Sequence, residues 1–164
     1  MIKRKICMLG AFSVGKTSLV SQFVHSIFSE KYHTTIGVKI DKKSITINNE
    51  EVMLLIWDIY GEDDLQEIRL NYIRGTSGYL LVADGTRPNT LDVARRIRDR
   101  IEANLGKIPF VLLINKSDLT DEWNLEKETL DNLGKEGWTV ILSSAKTGEG
   151  VEEGFSHLAK TIIN

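Results

Sequence analysis

The stretch Gly10-Ala11-Phe12-Ser13-Val14-Gly15-Lys16-Thr17 constrains this chain more than any other, because it has to convert an apolar strand into a helix within a few residues. Ile6 to Leu9 is a short apolar run before it, and Leu19, Val20, Phe23, Val24 and Ile27 recur at helical spacing after it. Gly10 and Gly15 permit a tight turn and a close backbone approach. Successive N–H groups can then point inward at α- and β-phosphates, at the positive end of the following helix dipole. Lys16 reaches the β- and γ-phosphates, and the Thr17 hydroxyl is a hard oxygen ligand for Mg2+. Two glycines followed by Lys-Thr also occur in plain strand-to-helix turns. The flanking strand and helix patterns favour the phosphate-binding reading, which predicts a nucleoside triphosphate.

The 164 residues, 41% hydrophobic and 27% charged, suit one globular domain with a substantial core, and 1–164 is read as that single domain. The longest apolar run, Val52 to Trp57, spans six residues against the roughly 20 that a membrane helix needs. The N-terminus carries no apolar stretch of signal-peptide type, so a cytoplasmic location is expected, with peripheral membrane association left open. A single cysteine, Cys7, cannot form an intrachain disulfide; within the first strand it reads as a buried, inert thiol in a reducing compartment. The net charge of −2 provides no global field for nucleic acid or anionic lipid. Arg95, Arg96, Arg98 and Arg100 form the densest basic cluster, on a helix whose apolar stripe is Leu91, Ala94, Ile97, Ile101 and Leu105. A solvated face is the default reading there, an anionic partner the alternative.

Apolar runs and helical patterns alternate without repeats or linkers. Gly78 to Ala83, Phe110 to Ile114 and Thr139 to Leu142 are continuous rather than alternating, as expected for strands covered on both faces of a parallel sheet. Helices are expected near 91–105 and 123–134, and a last one carries Val151, Phe155, Leu158, Ala159 and Ile162 on one stripe. Ser44 to Ile47 alternates, and Asn48-Asn49 can adopt left-handed conformations, so the second and third strands are expected to form an antiparallel hairpin. The fold class is α/β: a phosphate-loop nucleotide-binding fold with a six-stranded, mostly parallel sheet, its second strand antiparallel, and helices on both faces. Ligands of such a sheet bind at the carboxyl ends of its strands, here in the loops after strands 1, 3, 5 and 6.

Three further motifs fall at those ends. Asp58, in Trp57-Asp58-Ile59-Tyr60-Gly61, is a natural partner of Mg2+ through water, while Gly61 offers an N–H to a γ-phosphate and lets the following segment hinge. Asp118, in Asn115-Lys116-Ser117-Asp118, can accept two parallel hydrogen bonds from N1–H and N2–H₂ of guanine, which adenine cannot present. It therefore selects GTP over ATP, because the wrong base leaves a carboxylate without its donors. Ser143-Ser144-Ala145-Lys146 offers a backbone N–H for guanine O6 and an aliphatic stem to lie along the base.

Taken together, these boxes resemble the Ras-like small GTPases over essentially the whole chain. Phe28 to Val38 and Tyr72-Ile73-Arg74-Gly75 look most like the Rab branch. The resemblance implies that Phe28 stacks on guanine, that Tyr32 covers the phosphates, and that Thr35 closes on Mg2+ and the γ-phosphate only in the triphosphate state. Loss of that phosphate then releases switch segments near 30–38 and 59–74. The implied nucleotide-binding set is Gly10, Ser13, Val14, Gly15, Lys16, Thr17, Ser18, Phe28, Tyr32, Thr35, Gly61, Asn115, Lys116, Asp118, Ser144, Ala145 and Lys146. The metal set is Thr17, Thr35 and Asp58, and the catalytic set is Lys16, Thr35, Gly61 and Glu62. Effectors and exchange or activating proteins are the implied partners, of a chain acting as a monomer and without nucleic acid. Ile40, Trp57 and Tyr72 match the hydrophobic triad that Rab-like proteins present to effectors; packing against one another as half-buried core is the equal alternative. His25, His33 and His157 have no metal-ligand spacing.

Three departures qualify the resemblance. Where the family has Gly-Gln-Glu, this chain has Gly61-Glu62-Asp63. The family Gln accepts from the attacking water and donates toward the transition state. A carboxylate accepts but cannot donate, and it adds negative charge beside the γ-phosphate, so slow intrinsic hydrolysis is expected. Phe12 stands at a loop position that often carries a small residue; its ring either obstructs an incoming arginine finger or points aside. The sequence stops at Asn164 without the terminal cysteines of prenylated relatives, so the protein lacks a lipid anchor, or the sequence is trimmed, or it is the G domain of a larger protein. The leading expectation is a GTP/GDP switch with weak hydrolysis. A GTP-binding interaction module that never cleaves its ligand is the first competitor. A phosphate-loop kinase is the second, and it leaves Asn115 to Asp118 without a role.

Overall fold

The computed structural model describes residues 1–29, 37–59 and 70–164. Along the chain these form β1 (Ile2–Gly10), α1 (Lys16–His25), β2 (Val38–Ile47), β3 (Glu50–Ile59), α2 (Leu70–Ile73), β4 (Gly78–Asp84), α3 (Asn89–Leu105), β5 (Phe110–Asn115), α4 (Lys127–Lys135), β6 (Val140–Leu142) and α5 (Val151–Ile163). The strands make one six-stranded sheet in the order β2-β3-β1-β4-β5-β6. All neighbours are parallel except β2 and β3, as the sequence pattern predicts. Asn48 (φ 52°) and Asn49 (φ 65°) turn that hairpin in left-handed conformation, which Asn tolerates better than most residues.

The continuous apolar strands are the buried ones. Every residue of β4 is buried, and so is β5 from Val111 to Asn115, because helices cover both faces. On one face the Phe23 and Phe155 rings stack at 3.9 Å between centroids, locking α1 to α5. On the other, Tyr79 stacks on Phe110 at 5.2 Å, and the charges of Arg98 and Glu102 on α3 reach its phenol. Leu91, Ala94, Ile97 and Ile101 of α3 are buried, with Leu105 packed at the margin. The basic face of that helix is less solvated than its default reading. Arg95 bonds Glu136 at 2.7 Å, Arg98 pairs with Asp99 and Glu102, and both guanidinium groups lie over Trp138.

Two expected helices end differently. Ile27 is not part of the buried stripe of α1: Ser26 turns left-handed (φ 54°), its N–H donates to the Gln22 carbonyl, and Ile27 is left exposed. The helix expected near 123–134 begins only at Lys127, because Asn124 N–H is taken by the Gly85 carbonyl at 2.8 Å and holds that segment against the end of β4. Cys7 is buried within β1, and burial pushes its thiol up, in keeping with an inert group.

β1 is the hinge of the topology. β3 lies on one side of it and β4 on the other, so the crevice of this open sheet falls at the carboxyl end of β1. The register brings the other strand ends alongside: Met8 faces Asp58, Gly10 faces Val82, and Asp84 faces Asn115.

Candidate functional site

Between β1 and α1 the backbone makes two left-handed turns, at Ser13 (φ 62°) and Gly15 (φ 103°). Gly15 could hardly be another residue, since a Cβ there would collide with the Asn115 carboxamide. α1 then starts at Lys16 without a side-chain cap, leaving its first N–H groups aimed into the loop. Lys16 folds back inside that loop. Its Nζ is buried and donates to the carbonyls of Gly10 (3.2 Å) and Ala11 (3.0 Å). Burial pulls its ammonium down to about 8, against the upward pull of Asp58, and Arg87 adds a lesser push the same way as burial.

Beside it, Thr17 Oγ1 donates to Asp58 Oδ2 at 2.5 Å, and Asp58 is buried at the end of β3. A hydroxyl and a carboxylate oxygen thus meet next to a buried cation. This donor set suits Mg2+, which takes one or two protein oxygens and keeps the rest of its shell for water and phosphate. Among the described residues no cluster of three or more His, Cys, Asp or Glu could hold a different metal. Held by Thr17 and Asp58, the ion would supply positive charge to neutralise phosphate.

At the end of β5 the arrangement is denser. Asn115 Nδ2 donates to the Val14 carbonyl of the phosphate loop at 2.9 Å, while its Oδ1 accepts from Ser143 Oγ and from the Ala145 N–H, both at 3.3 Å. Asp118 Oδ1 accepts from Ser144 Oγ at 2.8 Å, which orients the carboxylate. The Ala145 carbonyl accepts from Gln22 Nε2 of α1 at 2.9 Å, so α1 braces the last loop. Lys146 is exposed, and Phe28 packs at the edge of the core. Thus the residues expected from the loops after β1, β3, β5 and β6 converge. Tyr32, Thr35, Gly61 and Glu62 lie outside the described residues, as does most of both switch segments.

The loop after β4 was not among those singled out, yet it enters the site. Asp84 is a buried carboxylate that accepts from Lys116 Nζ (2.9 Å), Arg87 Nε (3.1 Å), and Thr86 N and Oγ1 (2.8 and 2.7 Å). Lys116 therefore points to Asp84 through a left-handed backbone (φ 69°). The signal that would have found Asp84 is the one that found Asp58: a carboxylate directly after a continuous apolar strand. Phe12 is 37% exposed at the mouth, its carbonyl accepting from Arg87 Nη2. Ile40 and Trp57 are opposed across β2 and β3; Ile40 is half-exposed, whereas Trp57 is half-buried beneath Lys5 Nζ, 3.7 Å from the ring centroid.

Comparison with known proteins agrees with this geometry. The Ras family model matches residues 5–164. A curated relative, the GTP-binding protein Rheb homolog of Dictyostelium discoideum, is 36% identical over 163 residues, covering 97% of this chain and 87% of the relative. The match runs through every strand end that builds the pocket: the chain belongs to the Ras family of small GTPases, GTP-binding molecular switches.

Proposed function

We propose that the chain holds GTP or GDP with Mg2+ across the four strand ends and hydrolyses GTP slowly. Gly10, Ser13, Val14, Gly15, Lys16, Thr17 and Ser18 cradle the phosphates. Thr17 and Asp58, with Thr35 in the triphosphate state, hold the ion. Asn115, Lys116, Asp118, Ser144, Ala145 and Lys146, with Phe28, read the base. The observation that carries this reading is the Asn115 side chain, which joins the phosphate loop at Val14 to the base loop at Ala145 and so makes one pocket of two half-sites. The decisive experiment denatures the purified protein, identifies the co-purified nucleotide, and titrates the reloaded protein with GTP and ATP. Guanine nucleotide and a strong GTP preference are expected; equal affinity for both bases, or none, would overturn it.

The finer reading concerns turnover. Glu62 in place of the family Gln makes hydrolysis slow, and single-turnover phosphate release is expected to quicken in Glu62→Gln. Faster release by the wild type would instead make Glu62 a general base. Release too slow to measure in both would favour the non-hydrolysing module. The segments near 30–38 and 59–74, of Rab-like sequence, are proposed to change order with the γ-phosphate and to bind effectors and regulators. The protein is proposed to act as a monomer in the cytoplasm; the lone buried thiol of Cys7 supports the reducing compartment. Among the described residues no helix is long and apolar enough to cross a membrane.

A further inference from the structure

We propose that Arg87 is a positioning residue that ties the phosphate loop to the base loop through Asp84, and so slows the release of bound guanine nucleotide. The inference rests on the pocket described above and concerns a loop to which that reading assigns no part. Strand order places it: β4 lies between β1, which delivers the phosphate loop, and β5, which delivers the base loop. From the end of β4 a continuous line of polar contacts runs to both sides. Arg87 Nη2 donates to the Phe12 carbonyl at 2.8 Å, while its Nε donates to Asp84 Oδ2 at 3.1 Å. The same carboxylate oxygen accepts from Lys116 Nζ at 2.9 Å.

One planar guanidinium thus spans two loops, using two N–H groups that point to different acceptors, a geometry that a single ammonium nitrogen does not reproduce. The carboxylate at the centre is fixed independently. Its other oxygen takes both the N–H and the hydroxyl of Thr86, and the Asp84 N–H bonds Thr90 Oγ1 at 2.8 Å. A rigid anion between two cations from different loops transmits a displacement of either loop to the other. The outer cation is accessible: the Arg87 side chain is 39% exposed, against 1% for Asp84. Removing it takes away the contact at the Phe12 carbonyl while leaving Asp84 its bonds from Lys116 and Thr86. The contact is a second connection between the half-sites, separate from that of Asn115 to Val14 and two residues before it in the loop.

The test follows the dissociation of a fluorescent GDP from the magnesium-loaded full chain, for the wild type, Arg87→Ala, Arg87→Lys, Asp84→Asn and the Arg87→Ala/Asp84→Asn double variant, with a melting curve for each. Loss of one charge-assisted contact predicts release roughly 10-fold faster for Arg87→Ala. Arg87→Lys should behave like Arg87→Ala, and the double variant should be no faster than the faster single one. Unchanged release in Arg87→Ala overturns the tie even if melting falls, since that is a merely structural role. Wild-type rates in Arg87→Lys overturn the two-point bridge in favour of charge alone. Multiplying single effects overturn the coupling through Asp84. A wild type that retains no guanine nucleotide overturns the pocket itself, and the tie with it.

Discussion

The two ends of the pocket are built on opposite principles. At the phosphate end a lysine is buried among carbonyls, its charge disfavoured by that burial, and the loop around it consists of left-handed turns. At the base end polar groups satisfy one another: the Asn115 side chain makes three hydrogen bonds and Asp118 is held by Ser144. In the first arrangement the Asp58 carboxylate only partly offsets the effect of burial on the Lys16 charge, whereas in the second the polar side chains are paired with one another. The phosphate end therefore carries a charge cost that a bound phosphate would offset, while the base end lends stability to the fold.

The largest effect should come from breaking the phosphate end. Lys16→Met is expected to weaken GDP binding by about 30- to 5,000-fold, the range for truncating one partner of a buried charge pair. Its nucleotide-free form should melt no lower than the wild type, because a disfavoured buried charge has gone; calorimetry with and without GDP checks both. A clear drop in melting without nucleotide would erase the contrast between the two ends.

Next comes selectivity. Asp118→Ala should reduce the preference for GTP over ATP by roughly 100-fold in competitive titration, since the carboxylate alone matches the guanine donors. Asn115→Ala sharpens the comparison from the other side. Three lost hydrogen bonds should cost about 2–4 kcal/mol in the urea unfolding of nucleotide-free protein, the reverse of the Lys16 result. The smallest effect is one of pH. Burial would raise the Asp84 carboxyl, but its hydrogen bonds from Lys116 and Thr86 outweigh that and hold it below the ordinary carboxylate range. Its folded pKa lies under its unfolded one, so its contribution is complete above about pH 4 and fades as the pH falls further. Asp84→Asn should therefore lower stability at neutral pH and flatten the acid limb of the profile, so that the two proteins converge at low pH.

The pocket was largely legible because its groups follow strong local rules. Gly15 and Lys16 sit where an apolar run gives way to a helical stripe, Asp58 and Asn115 directly follow continuous strands, and the Asn48-Asn49 hairpin announces its own handedness. What escaped depends on contacts distant in sequence. Arg87 and Phe12 meet only because β4 lies beside β1, and no spacing between residues 75 positions apart encodes that neighbour. Ile27 continued a helical period and still fell outside α1, because the left-handed Ser26 overrode the pattern. The helix expected near 123–134 starts later, at Lys127, because the carbonyl of Gly85 takes the Asn124 N–H.

That last contact reaches beyond architecture. A Cβ at Gly85 would fall within the Trp123 indole, so the ring lies flush on the backbone one residue from Asp84. The other two tryptophans lie beneath basic side chains elsewhere, Trp57 under Lys5 and Trp138 under Arg95 and Arg98. An indole thus lies against the hub of the site, and its emission is expected to shift when nucleotide enters, leaves or loosens the loops around it.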